Sequence, residues 1–316
     1  MKQPLEWTRL KSILTKIIRS HPNTIVGAGD DAFVFAPFSD NQVWCQDLMV
    51  EGTHFKTEWS KPEDIGFKAM ARNLSDFAAM GAIPQLAQVS LVLPQKYSDT
   101  WLDSFYTGLL EAADASQVEI VGGDLSTGPA IFIDVSVLGN TERPLTRARS
   151  QEGDLILASG PLGLGKTGLQ VLQHKLSPTK FANSLKRQLR GQARLDLISQ
   201  LQKNAPLIHA CIDTSDDLAS SLYQLLNQDQ LGAKIEITDS WIHSEVKEIS
   251  ENLNQNIIDY LIYGGEDFEL LITIAPEAKD FFPEWIEIGK IQNGPFEYVK
   301  DNTSHKIDFT KAWDPF

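Results

Sequence analysis

Residues 68–84 read KAMARNLSDFAAMGAIP, and the rest of the chain is organised around them. The spacing predicts a helix. Ala69, Leu74, Phe77, Ala78 and Met80 can share one apolar face, while Arg72, Asn73 and Asp76 fall on a polar flank. Gly81 is a natural stop, and Pro84 cannot continue the helix. Pro62 stands in the first turn, where proline is tolerated. Two readings of the polar flank stay open on this stretch alone. Either Arg72 pairs with Asp76 at i,i+4 and Asn73 is solvated, or Asp76 joins acids elsewhere in the chain.

On the N-terminal side, an amphipathic first helix precedes TIVGAGDD at 24–31, an apolar rise ending in glycines and two acids. Residues 32–36 read as a short strand, and QVWCQDLMV at 42–50 as a longer one carrying Asp47. On the C-terminal side follow a strand at 85–93, a helix at 100–115, the strand EIVGGD at 119–124 and an alternating strand at 131–138. The polar, locally basic segment 140–153 suggests a boundary, giving expected domains 1–150 and 151–316. The second half reads as a strand at 154–158, a glycine-rich loop at 159–168, a helix at 169–176 and a helical region at 181–203. A strand at 208–213 then runs into Thr214, Ser215, Asp216 and Asp217, followed by a helix to Leu225 and strands at 233–237, 270–274 and 285–288.

The chain has 316 residues, 42% hydrophobic and 22% charged, which is globular composition with room for two domains. No apolar run approaches the ~20 residues that span a bilayer, and the N-terminal stretch lacks a signal-peptide core. Two cysteines, Cys45 and Cys211, sit in strand-like runs, so a reducing cytoplasm is the expected setting. A net charge of -14 argues against broad nucleic-acid or anionic-membrane binding. It leaves room for an anionic substrate held through metal ions.

The recurring feature is an acid at an element end, often beside glycine: Asp30 and Asp31, Asp47, Asp76, Gly123 with Asp124, Asp213 with Asp216, and Glu266 with Asp267. Singly, each is ordinary turn chemistry. Clustered, such carboxylates repel one another unless cations neutralise them. Oxygen-only ligands suit Mg2+ and leave positions open for phosphate, which adjacent glycine amides can approach. GPLGLGKT at 160–167 also matches the P-loop pattern literally, between a strand and a helix. Half the chain precedes it, however, and Pro161 and Leu162 are unusual in a phosphate cradle. The favoured reading is a glycine-rich strand–helix turn.

Seven motifs occur in family order: GDD at 29–31, QDLMVEGTHF at 46–55, NLSDFAAMGAIP at 73–84, GGD at 122–124, DTSD at 213–216, GGEDFEL at 264–270 and AWDPF at 312–316. In these the chain resembles the thiamine-monophosphate kinases over nearly its whole length. More widely it is similar to aminoimidazole ribonucleotide synthetase, selenophosphate synthetase and a hydrogenase-maturation protein. The resemblance implies an α/β (α+β) protein of two domains with the aminoimidazole ribonucleotide synthetase-like fold. Its N-terminal half is expected to be mostly β with helices on one face and to form a homodimer, and its C-terminal half to be an α/β sandwich completing the active-site cleft. It implies a cytoplasmic, Mg2+-dependent transferase in thiamine biosynthesis, moving the ATP γ-phosphate to thiamine monophosphate to give thiamine diphosphate and ADP.

By the same resemblance Asp31, Asp47, Asp76, Asp124, Asp213 and Asp216 ligate metal. Tyr106, Gly123, Asp124, Arg147 and Ser215 contact ATP, and His54, Glu266 and Trp313 contact the substrate. No side chain is expected as nucleophile or general base. On the residues themselves the plainer alternatives stay open: His54 as a turn histidine, Trp313 as a C-terminal tack and Arg147 as a linker cation. The chain departs from the family at Cys45 and Gln46 (Ser-Thr is usual), Leu125 (threonine), Asp217 (glycine) and Lys166 (an acid). Two alternatives follow: another ATP-using enzyme of the superfamily, or a non-catalytic thiamine-phosphate binder.

Overall fold

A computed structural model describes residues 5–17, 21–26, 28, 32, 34–226 and 231–314. The chain divides into two units, one of residues 1–77 and 82–142, the other of 78–81 and 143–316. The first carries α1 (Leu5–Lys16), the short pair β1 (Thr24–Val26) and β2 (Val34–Phe35), β3 (Asn41–Val50), α2 (Pro62–Ala79), β4 (Ile83–Val92), α3 (Asp99–Ala115), β5 (Glu119–Ser126) and β6 (Phe132–Thr141).

Its main sheet has the order β3-β6-β4-β5. β3 and β6 pair antiparallel without a slip from Asn41↔Thr141 to Val50↔Phe132. β4 and β5 are parallel, as the α3 crossover between them requires. Strand alternation gives the sheet two unlike faces. Met49 is buried with Ile133, Val135 and Val137 on the face against α2, where the Cys45 thiol lies 3.5 Å from the Asn73 carbonyl. Trp44 (73% exposed) and Leu48 (50%) lie on the other face. Helices therefore cover one side of this sheet, as expected.

The second unit carries β7 (Leu155–Ala158), α4 (Leu164–Gln173), α5 (Ala182–Arg190), α6 (Ile198–Lys203), β8 (Ile208–Asp213), α7 (Leu218–Leu226), β9 (Gly232–Glu236), α8 (Ser244–Asn252), α9 (Ile258–Leu261), β10 (Leu270–Ile274), β11 (Ile286–Gln292), β12 (Glu297–Lys300) and β13 (Thr303–Lys306). Its sheet has the order β13-β12-β9-β11-β7-β10-β8, antiparallel except where β12 meets β9. Both faces are buried at the centre, so β7 and β10 are buried throughout and apolar but for Thr273, whose hydroxyl pairs with that of Ser150. Ile156, Ala158 and Ile212 pack with α4, α7, α8 and α9. Leu155, Leu157, Cys211 and Ile272 pack on the opposite side with Leu201, Phe282, Ala78 and Ala79. The last turn of α2 thus belongs to the core of the second unit.

Several boundaries differ from the sequence reading. α4 starts at Leu164, inside the glycine-rich segment, five residues before the apolar pattern suggested. The region 181–203 is broken at Gly191 into α5, a single 3-10 turn and α6. α8, α9 and the β12–β13 hairpin carry no clear sequence signal. The four residues of β13 are all exposed, so no apolar alternation marks them.

Candidate functional site

In the first unit the expected acids part company. Asp47 lies on the helix-covered face of β3, and Arg72 Nε of α2 stands 3.4 Å from its Oδ2. Asn73 is fully buried, donating to the Ala69 carbonyl at 3.2 Å, so it is not the solvated residue of the simpler reading. Cys45 sits between Asp47 and Asp76. Burial pushes its thiol well above the usual range, reinforced by both carboxylates, and it hydrogen-bonds Asp76. The cysteine is thus a neutral donor where the family pattern has a hydroxyl. Gln46 points to the other face and donates to Asp134 Oδ2 at 2.7 Å.

Asp124 is exposed, and its Oδ1 accepts from the Leu125 amide. Register pairs it with Ser90, Ser90 with Asp134 and Asp134 with Leu48. It therefore lies on the sheet face opposite Asp47. Gly123 before it has φ +152°, and a Cβ there would fall 1.9 Å from the Val89 carbonyl oxygen. Tyr106 is buried in α3, its ring edge-on to Phe105, and burial raises its hydroxyl pKa. His54 closes its own turn, with Nδ1 accepting from the Val50 amide at 3.0 Å. A neutral ring there carries its proton on Nε2. Asp30 and Asp31 lie outside the described residues.

In the second unit the candidates come together. Asp213 ends β8, 3% exposed, with the Ser215 hydroxyl 3.4 Å from its Oδ1. The Glu266 amide donates to the Ser215 carbonyl at 2.8 Å, and a Cβ on Gly265 would sit 1.7 Å from the Asp216 carbonyl oxygen. Loop 213–216 and loop 264–266 are therefore in backbone contact, and only glycine permits the approach. Glu266 and Phe268 both have positive φ, 64° and 52°. Such strain, of order 1–3 kcal/mol per residue, concentrates at functional loops. Gln188 of α5 holds Glu266 Oε2 at 2.5 Å. Arg147 is exposed and bonded to Gln224 of α7.

The P-loop resemblance dissolves here. The amides of Gly163 and Gly165, which would cradle a phosphate, donate to the Asp267 carboxylate at 2.6 and 2.8 Å. Asp267 is 1% exposed, and burial pushes its pKa up to about 7 against the pull of those amides and Arg187. An internal carboxyl group already occupies the helix N-terminus, and its bonds to the Gly163 and Gly165 amides also account for the early start of α4. Nearby, the buried Glu269 pairs with Arg187 at 2.7 Å and Arg194 at 2.6 Å, and accepts from the Ser159 hydroxyl. Sequence reasoning gave no role to Gln188, Arg187, Arg194 or Glu269. Only the alternation of acids in GGEDFEL hinted that Asp267 and Glu269 turn inward.

Among the described residues no group of three or more His, Cys, Asp or Glu is placed to hold a metal ion. What remains is Asp47 and Asp76, which both act on the Cys45 thiol, and Asp213 and Asp216, which share one loop. Their all-oxygen donors fit Mg2+, which takes one or two carboxylates plus substrate phosphates rather than a protein cage. No described helix is long and apolar enough to cross a membrane.

Residues 29–141 match the family model "AIR synthase related protein, N-terminal domain" and residues 151–301 its C-terminal counterpart. A thiamine-monophosphate kinase of Rhodopirellula baltica is 37% identical over 82% of this chain and 79% of its own length. The solved thiamine monophosphate kinase of Aquifex aeolicus superposes with a TM-score of 0.76 at 30% identity, covering 96% of this chain and 99% of the other. AaThiL complexed with AMPPCP and TMP gives a TM-score of 0.77 at 28% identity, covering 98% and 97%.

Proposed function

Because the chain belongs to the thiamine-monophosphate kinase family, we infer that it transfers the γ-phosphoryl group of ATP to thiamine monophosphate, giving thiamine diphosphate and ADP. The observation that carries this reading is the bond from the Glu266 amide to the Ser215 carbonyl. It joins a loop assigned to substrate with a loop assigned to nucleotide and metal. Asp217, the charge that stands where the family has glycine, supports an active enzyme over a mere binder, because it is fully buried and bonded to the Ser220 and Trp313 amides rather than added to the ligand-facing acids of the loop.

The nucleophile is the substrate's own phosphate oxygen. With a second pKa near ~6 it is largely ionised at neutral pH, so no general base is needed. The chain's work is to position two polyanions that repel each other. In this reading residues 1–150 supply the nucleotide- and metal-binding half and 151–316 complete the site. Asp47, Asp76, Asp213 and Asp216 would hold Mg2+ with Asp31, whereas Asp124, turned to the sheet face opposite Asp47, does not join Asp47 and Asp76 within one chain. Mg2+, when bound, neutralises phosphate charge. Tyr106, Gly123, Arg147 and Ser215 are assigned to ATP. His54 offers an Nε2 proton to the substrate phosphate, Glu266 a charge opposite to the thiazolium, and the half-exposed Trp313 an indole face.

The apolar row of Trp44 and Leu48, uncovered by the described residues, supports assembly as a homodimer through that sheet face. Two free cysteines fit a cytoplasmic setting. Mixing the protein with ATP, Mg2+ and thiamine monophosphate should yield ADP and thiamine diphosphate in equal amounts. Absence of both products, with substrate still bound, would reverse the assignment in favour of a binder.

A further inference from the structure

Asp217 is fully buried, and its carboxylate does two things. Oδ1 accepts from the Ser220 amide at 2.6 Å, capping α7. Oδ2 accepts from the backbone amide of Trp313 at 2.7 Å. The tail that leads to Trp313 is fastened by other groups. Phe309 meets Tyr223 edge-on at 5.4 Å, the Asp308 amide donates to the Tyr263 hydroxyl at 2.9 Å, and Ala312 packs on the core. The Trp313 indole takes no comparable part and remains 49% exposed. A side chain that only tacked down the terminus would be the buried one; here the backbone is pinned and the indole is presented.

We propose that Asp217 is a positioning residue, whose carboxylate sets the Trp313 indole at the head of α7 so that the thiazolium ring is received next to loop 213–216. The proposal rests on the reading of Trp313 as the thiazolium platform. Asp217 directly follows Asp216, so one rigid turn carries both a metal-assigned acid and the clamp on the aromatic. Glycine at this position has no side chain with which to make either bond. The departure from the family pattern is thereby a gain of fixation rather than a stray charge in the site.

Asp217→Asn separates the two bonds. Its one carbonyl oxygen can still cap α7, but its NH2 group then faces the Trp313 N–H, donor against donor. Steady-state kinetics should show the Michaelis constant for thiamine monophosphate raised by about three- to tenfold, with that for ATP and kcat within about twofold. In a Trp313→Ala background the same substitution should add less than about twofold, since the platform it positions is gone. Should Trp313→Ala raise the thiamine monophosphate constant while Asp217→Asn leaves it unchanged, Asp217 is only a helix cap and the proposal fails. It fails equally if Asp217→Asn raises both constants together with a lowered melting temperature. If Trp313→Ala itself spares the thiamine monophosphate constant, the platform reading falls, and this proposal with it.

Discussion

At the scale of single residues, Asp76 and Lys166 invite opposite expectations. Asp76 of α2 receives the Cys45 thiol and shares its patch with Asp47. Asparagine keeps an oxygen to accept that thiol, so Asp76→Asn should fold with a melting temperature near that of the parent. Loss of an anionic ligand to phosphate-borne metal should nevertheless lower turnover by about a hundredfold or more. Near-normal turnover at saturating Mg2+ would show that Asp76 plays a structural part only. Lys166 stands at the position of a P-loop lysine, yet the amides beside it serve Asp267. Lys166→Ala should cost less than about tenfold in kcat, against a hundredfold for Asp47→Asn under the same ATP concentration. The reverse ranking would restore phosphate binding to the 160–167 loop.

At the scale of elements, α4 depends on an acid from a loop 102 to 104 residues away in sequence. Asp267→Asn leaves one acceptor for two buried amides, which should destabilise the protein by about 1–3 kcal/mol. The sign of its pH dependence follows from the raised pKa, about 7 folded against 3.8 as the ordinary value. The folded state favours the protonated acid. That stabilisation is complete below the unfolded value, shrinks as pH rises toward the folded value, and is lost above it. The melting-temperature gap between parent and Asp267→Asn should therefore narrow from pH 5 to pH 8. A gap that widened with pH would place the folded pKa below the ordinary range. The charge-paired Glu269, held by two arginines, should give a steeper loss if truncated to alanine, since Arg187 and Arg194 are left facing a hole.

At the scale of the whole molecule, the sheet of the first unit has one face without cover from the described residues. Trp44 at 73% and Leu48 at 50% exposure are an expensive pair to leave in water. With a second copy seated there, Trp44→Glu should shift sedimentation from two-chain to one-chain mass, with the isolated chain still folded by circular dichroism. A parent protein that sediments as one chain at micromolar concentration would remove this interface.

Much was legible in the residues alone. The period of α2, its stop at Gly81 and the strands flanking it are local patterns, and the structure reproduces them, although Gly122–Asp124, expected to end its strand, lies inside β5, which runs on to Ser126. The acids of the glycine–acid motifs were legible as a group because those motifs are short and contiguous. Direction was not. Asp47 and Asp124 look alike as strand acids, but the pairing register turns them to opposite faces of one sheet. Asp267 and Glu266 are neighbours, yet one is drawn inward by two amides while the other stays beside loop 213–216. Asp217 reads as a surplus charge until Trp313, 96 residues on, returns to it. Local propensity and periodicity determine which elements form and where they end. Which oxygen faces a ligand, a helix terminus or the core is settled by partners distant in sequence, and only the tertiary structure brings those within hydrogen-bond reach.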